Sequence, residues 1–207
     1  MPELSITNLI IGVTLLFSIR ALGNQELFYK MKFYPAVMDR RDQAYRFLSY
    51  ALVHADYLHL AVNMYVLYTF GNFTEDMYGL AFDQKGKFYY VLLYWAAAFT
   101  SVIPSFEKHK THTWYTAVGA SGAVSAVVFA SIMFNPTAGM GLLFIPIYIP
   151  SWLFGLLYLG YSYFMAQRGR DNIGHDAHFF GALFGIMFTI LLNYRIGIAF
   201  VNTIMGQ

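Results

Sequence analysis

Between Lys110 and Arg168 the chain carries no Asp, Glu, Lys or Arg. No other feature restricts its fold as much. The uncharged stretch, residues 111–167, is too long for one helix, because a membrane span needs about 20 mostly apolar residues. Asn135-Pro136, Gly139, Gly141, Pro146 and Pro150 interrupt it, and Gly and Pro so placed break helices. It therefore divides into an irregular polar loop, 111–116, and two spans, about 119–134 and 151–166. Only 12% of all residues are charged and 58% are hydrophobic, against about 25% charged in a soluble domain. The composition predicts a polytopic, all-α membrane protein.

Four further spans are expected: 4–19, with Arg20 snorkelling to the interface; 57–74; 88–106; and 178–194, which can run on past Arg195 to Ile204. Met1-Pro2-Glu3 offers no basic leader segment, so the first span reads as a retained helix. Residues 1–207 then form one six-helix membrane domain with no separate soluble domain. The longest connection, 21–53, interleaves Phe28, Tyr29, Phe33, Tyr34, Tyr45, Phe47 and Tyr50 with Lys30, Lys32, Arg40, Arg41 and Arg46. Rings beside basic groups suit lipid headgroups, so this loop is expected to be structured and partly interfacial. A net charge of +2 gives no reason to expect nucleic acid, and zero cysteines exclude disulfides, thiolate catalysis and cysteine metal sites.

Three polar stretches carry candidate chemistry. In Gly119-Ala120-Ser121-Gly122 small neighbours leave a hydroxyl uncovered at the mouth of a span. Alone, the stretch reads as a helix-packing motif. His59 and Asn63 are four residues apart, so they share a helix face. Each is costly in hydrocarbon without a partner, and together they form a donor set suited to an oxyanion or to gluing helices. His178, Gly181 and Gly185 share a face of the last span, and Gly181-xxx-Gly185 permits close helix approach. Packed against a stripe of Gly119, Ala123, Ala126 and Ala130, it would bring His178 towards Ser121, as a nucleophile and its base require. Asp176 reads as a solvated loop residue or an N-cap. His109-x-x-His112 and His175-x-x-His178 lack the glutamate of an H-E-x-x-H zinc motif; no metal is expected, and the first pair is expected in a solvated loop.

The chain resembles the rhomboid intramembrane serine proteases over nearly its whole length. His59-x-x-x-Asn63, Gly119-Ala-Ser121-Gly122 and Ala177-His178-x-x-Gly181 occur in the family's order on the expected spans. The resemblance implies that Ser121 is the nucleophile and His178 its general base. It implies that His59, Asn63 and the Ser121 backbone N–H hold the oxyanion beside Gly119. It assigns structural support to His54, to Arg46 of a Tyr45-Arg46 pair that stands for the family's Trp-Arg, and to Gly122, Gly181 and Gly185. Many members carry a tyrosine four residues after the nucleophile, with its ring on the histidine. Here that position is Ser125, which leaves Phe179 or Phe180 as expected neighbours for His178. The implied partners are transmembrane-helix substrates and membrane lipids; no cofactor is implied. A non-proteolytic relative that binds transmembrane clients and a small transporter are the alternatives left open.

Two arguments about orientation conflict. Arg20, Lys30, Lys32, Arg40, Arg41, Arg46, Lys108, Lys110, Arg168 and Arg170 fall on the side of the active-site mouth, against Lys85, Lys87 and Arg195 on the other. The positive-inside rule puts the mouth in the cytoplasm. The resemblance puts it outside a bacterial inner membrane, and that is the expectation adopted.

Overall fold

The computed structural model describes residues 5–38, 41–141, 147–168 and 173–207. Met1, Pro2, Glu3, Arg40, Pro146 and Arg170, named above, and residue 4 of the first expected span lie outside them. The described chain is mostly helical: α1 Ile6–Leu22, α2 Gln25–Met31, α3 Arg46–Ser49, α4 Tyr57–Phe82, α5 Gly86–Ser101, α6 Ile103–His109, α7 Ser121–Phe134, α8 Ser151–Arg168, α9 His175–Leu192 and α10 Tyr194–Met205. A two-stranded antiparallel pair, β1 Gly139–Met140 and β2 Ile149–Pro150, closes the connection between α7 and α8. Among the described residues, two helical stretches are long and apolar enough to cross a membrane, Tyr57–His109 and His175–Leu192. Two shorter apolar helices, α1 and α7, accompany them.

Local sequence sets most boundaries. Ser5, Asn24 and Asp56 each cap a helix by accepting a backbone N–H three residues on. Three expected bounds shift. Helix α4 runs on past Thr74 because Glu75 is not a surface charge. Its carboxylate accepts the Ile6 and Thr7 backbone N–H groups at 2.8 and 2.9 Å and the Ser5 hydroxyl at 2.8 Å. Those are orphan donors of the α1 N-terminus, and a carboxylate there is favoured by the helix dipole. The third span breaks at Val102, where Pro104 starts α6 afresh. The last span begins three residues early, at His175, and ends at Asn193, whose side chain caps α10.

Helix α7 is the centre. Every residue from Gly122 to Met133 is buried, which is why it is apolar all round rather than on one stripe. It packs on α4, α5 and above all α9. The approach of α7 to α9 is backbone on side-chain-free backbone. A Cβ on Gly181 would strike the Gly122 carbonyl, and one on Gly185 would strike the carbonyl of Ala126. The expected packing of the two small-residue faces is present, with one correction. Gly119 is not part of the stripe, because it precedes the helix; Gly122 takes its place.

The Gly181 contact makes two substitutions diverge. Gly181→Ala should cost about 1–3 kcal/mol or more, because an overpacked contact against backbone cannot be relieved by a rotamer change. Gly160→Ala, in α8, has open space at its Cβ and should be neutral or stabilising by up to about 1 kcal/mol. Unfolding in detergent measures both, and equal effects would refute the close contact.

Candidate active site

Ser121 is the first residue of α7. The turn that delivers it depends on Gly119, whose φ of +113° suits a residue without a Cβ. The same atom would lie 2.6 Å from His59 Cε1, so glycine is required twice over. The residue before the helix, Ala120, makes no side-chain cap. The first-turn N–H groups, that of Ser121 among them, are therefore left for a ligand. Such donors, with the positive end of the helix dipole, favour a negative charge beside the serine.

The loop is held from below by His54. Its Nε2 accepts the Ala120 N–H at 3.3 Å, and its Nδ1 meets the Ser18 hydroxyl at 2.9 Å. Since Nε2 accepts, the proton sits on Nδ1 and is donated to Ser18 Oγ, whose own O–H donates to the Leu52 carbonyl at 2.9 Å. This chain ties α1, the segment before α4 and the serine loop into one unit. The backbone also helps: Gly119 N–H donates to the Tyr50 carbonyl, and Phe33 pairs with Ala117 in a two-way bridge.

His178 lies in the first turn of α9, and its Nε2 is 2.7 Å from Ser121 Oγ. The glycine contacts between α7 and α9 set that distance. Both residues are half-buried. His59, also half-buried, stands over Gly119 with its ring 4.9 Å from that of His54, edge to face. Asn63 is buried one turn along, and one amide hydrogen goes to the His59 carbonyl at 2.9 Å. A carboxamide nitrogen has a second N–H to give. Gly122 backs onto α5, where a Cβ would sit 2.5 Å from Ser101 Oγ. Sequence reasoning did not find that serine.

The supporting residues fall in two groups. Gly122, Gly181, Gly185 and His54 are at the site, as described. Arg46 is remote from it and organises the 21–53 segment. Buried, it donates from one terminal nitrogen to the Tyr29 and Lys32 carbonyls, both at 2.8 Å, and from Nε to Gln43 at 2.8 Å. Tyr29 and Tyr45 flank its guanidinium.

Three expectations need correction. Phe179 and Phe180 do not seat His178: Phe179 packs on Tyr163, and Phe180 is exposed. The ring nearly parallel to His178, at 6.3 Å and 25°, is Tyr158 of α8. Asp176 is neither a loop residue nor an N-cap; it lies within the first turn of α9, 3.7 Å from Lys108. His109 does not lie in a solvated loop. It ends α6 buried, stacked 3.8 Å from Tyr115 and hydrogen-bonded to His112 at 3.0 Å. Stacking on a ring offsets the cost of removing its imidazole from water.

The family described as Rhomboid domain matches residues 41–195. RHOMBOID-like protein 12, mitochondrial, from Arabidopsis thaliana is 31% identical over 65% of this chain and 42% of its own length. Rhomboid protease GluP from Bacillus subtilis (strain 168) is 30% identical over 68% of this chain and 25% of its own. Presenilin-associated rhomboid-like protein, mitochondrial, from Mus musculus is 28% identical over 65% and 34% respectively. The chain thus spans less than half the length of these relatives.

Burial beneath the serine loop, with His59 alongside, pushes the His54 pKa down to about 3, against about 6.5 for an exposed imidazole. The unfolded chain therefore takes up this proton first. The stability that neutral His54 contributes is complete above about pH 6.5 and drains away as pH falls towards 3. Unfolding measured across that window should show declining stability for the wild type and a flatter profile for His54→Gln. Identical slopes would mean that His54 is not the group responsible.

Proposed function

This chain belongs to the rhomboid family, and on that footing we propose that it is an intramembrane serine protease working through a Ser121–His178 dyad. One observation carries the reading: the 2.7 Å contact between His178 Nε2 and Ser121 Oγ, the reach a nucleophile and its base require. With its proton on Nδ1, neutral His178 accepts the Ser121 proton through Nε2 as Oγ attacks a peptide carbonyl. The tetrahedral oxyanion is met by the Ser121 backbone N–H, with His59 and the second Asn63 N–H as side-chain donors. His178 then hands its proton to the leaving amine, and a water activated by the same imidazole hydrolyses the acyl-enzyme. The half-buried setting of both residues allows that water to reach them.

The reading includes a membrane arrangement. Residues 1–207 act as one membrane domain in which α1, α4, α5, α7, α8 and α9 cross the bilayer and the 21–53 segment lies at its surface. The substrates are transmembrane helices with small or helix-breaking residues near the cut, because the dyad needs an extended strand and such helices unwind cheaply. The serine mouth faces outward from a bacterial inner membrane.

Ser121→Ala should abolish cleavage of a model transmembrane substrate, by at least about 10³-fold, with unchanged unfolding. A serine-directed fluorophosphonate should label the wild type at Ser121. Proteolysis that survives the substitution, or absent labelling, would sink the reading.

Orientation has its own test. Lys108 and Gln84 are both exposed, and the chain has no native cysteine. Gln84 follows the far end of the 26-residue α4, which extends roughly 39 Å from the His59 end. With single cysteines at these positions, a membrane-impermeant thiol reagent on intact cells should label 108 and spare 84. The reverse pattern would put the mouth in the cytoplasm, where the Lys and Arg distribution points.

A further inference from the structure

Helix α8 contributes a residue to the neighbourhood of His178 that the proposed chemistry above does not use. The Tyr158 ring faces the imidazole nearly parallel, with centroids 6.3 Å apart and 25° between planes. Its hydroxyl meets Ser125 Oγ at 2.7 Å. Phe129 of α7, at 5.6 Å, and Phe154 of α8, at 6.3 Å, brace the ring. Close approach of α8 is possible because Gly155 presents no side chain to Phe129 and Ile132. Ser125 is buried and stands four residues after Ser121, on the same face of α7.

Resting on the dyad reading, we propose that Tyr158 is the positioning residue for His178 and that Ser125 holds it in place. An imidazole turns about two side-chain bonds, and accepting a hydrogen bond at Nε2 fixes only part of that freedom. A ring lying along its face restricts it further, beside the edge contact of the His175 ring at 5.9 Å. Offset aromatic pairs at this separation are favourable. The tether gives the arrangement a common origin. Helix α7 carries Ser121 directly and, through Ser125 and the Tyr158 hydroxyl, sets the plane of the imidazole that serves it. Nucleophile and base are thus both referenced to one helix, although the base belongs to α9.

The test is kinetic, on the full chain with a transmembrane substrate in detergent, with fluorophosphonate labelling of Ser121 alongside. Tyr158→Leu removes the ring and should lower kcat about 10- to 100-fold, as expected for a displaced catalytic group, with KM changed less than about twofold. Tyr158→Phe and Ser125→Ala each break only the tether and should each lower kcat by roughly 2- to 5-fold, the size of one lost neutral hydrogen bond. The double variant should be no slower than either, because both remove the same contact. Wild-type kcat in Tyr158→Leu, or a loss confined to KM, would overturn the positioning role. Additive losses in the double variant would overturn the tether. Should Tyr158→Leu fail to fold, the two volume-conserving variants decide alone, and wild-type kcat in both refutes the proposal. Absent Ser121 labelling in the wild type would instead refute the protease reading, and this inference with it.

Discussion

The approach of α7 to α9 is the contact on which the rest of the molecule depends. Gly181 and Gly185 lie against the Gly122 and Ala126 carbonyls with no room for a methyl group. Helices normally pack 8–10 Å apart because side chains keep them so. Here the missing side chains let two N-termini meet, one carrying Ser121 and the other His178. Their 2.7 Å separation is a consequence of backbone packing and not of a flexible reach. Between helices in lipid, where apolar surface gains nothing by association, such close packing is a main source of cohesion.

Around that contact the polar groups are arranged to make the serine loop rigid without covering the serine. The hydrogen bonds of His54, Ser18 and Tyr50 lie beneath and behind the loop. Apart from the link between His54 and Ser18, they reach backbone groups, which would otherwise be unsatisfied in a buried turn. The 21–53 segment contributes through Arg46, whose guanidinium gathers carbonyls that no helix or sheet ladder would satisfy. Glu75 does the converse at the start of α1, where its carboxylate accepts backbone N–H groups. Among the described residues these two buried charges serve as caps for backbone, and each is paired with several donors or acceptors, as the cost of burial requires.

Much of this was legible in the chain itself. The uncharged run from Thr111 to Gln167 and the Pro and Gly that divide it predict α7 and α8 to within two residues. The spacing of His178, Gly181 and Gly185 identified the helix face that meets α7, because a helix has a fixed period. The Gly119-Ala120-Ser121-Gly122 stretch marked the loop, since small residues and a lone hydroxyl at an apolar boundary are a local pattern.

What tertiary structure decided were relations between distant parts of the chain. No period in the sequence says that Tyr158 lies along His178, because the two are on different helices and their meeting depends on how α8 leans on α7. The only trace is Ser125, a small polar residue buried where its hydroxyl needs a partner. Glu75 looked like the end of a span because a charge in an apolar run is costly, and only the position of α1 shows that its cost is met. His109 looked solvated for the same reason, until Tyr115 was seen to cover it. Sequence periodicity fixes which face a residue is on. It does not fix which neighbour that face will find, and for buried polar groups the neighbour determines whether they are tolerated at all.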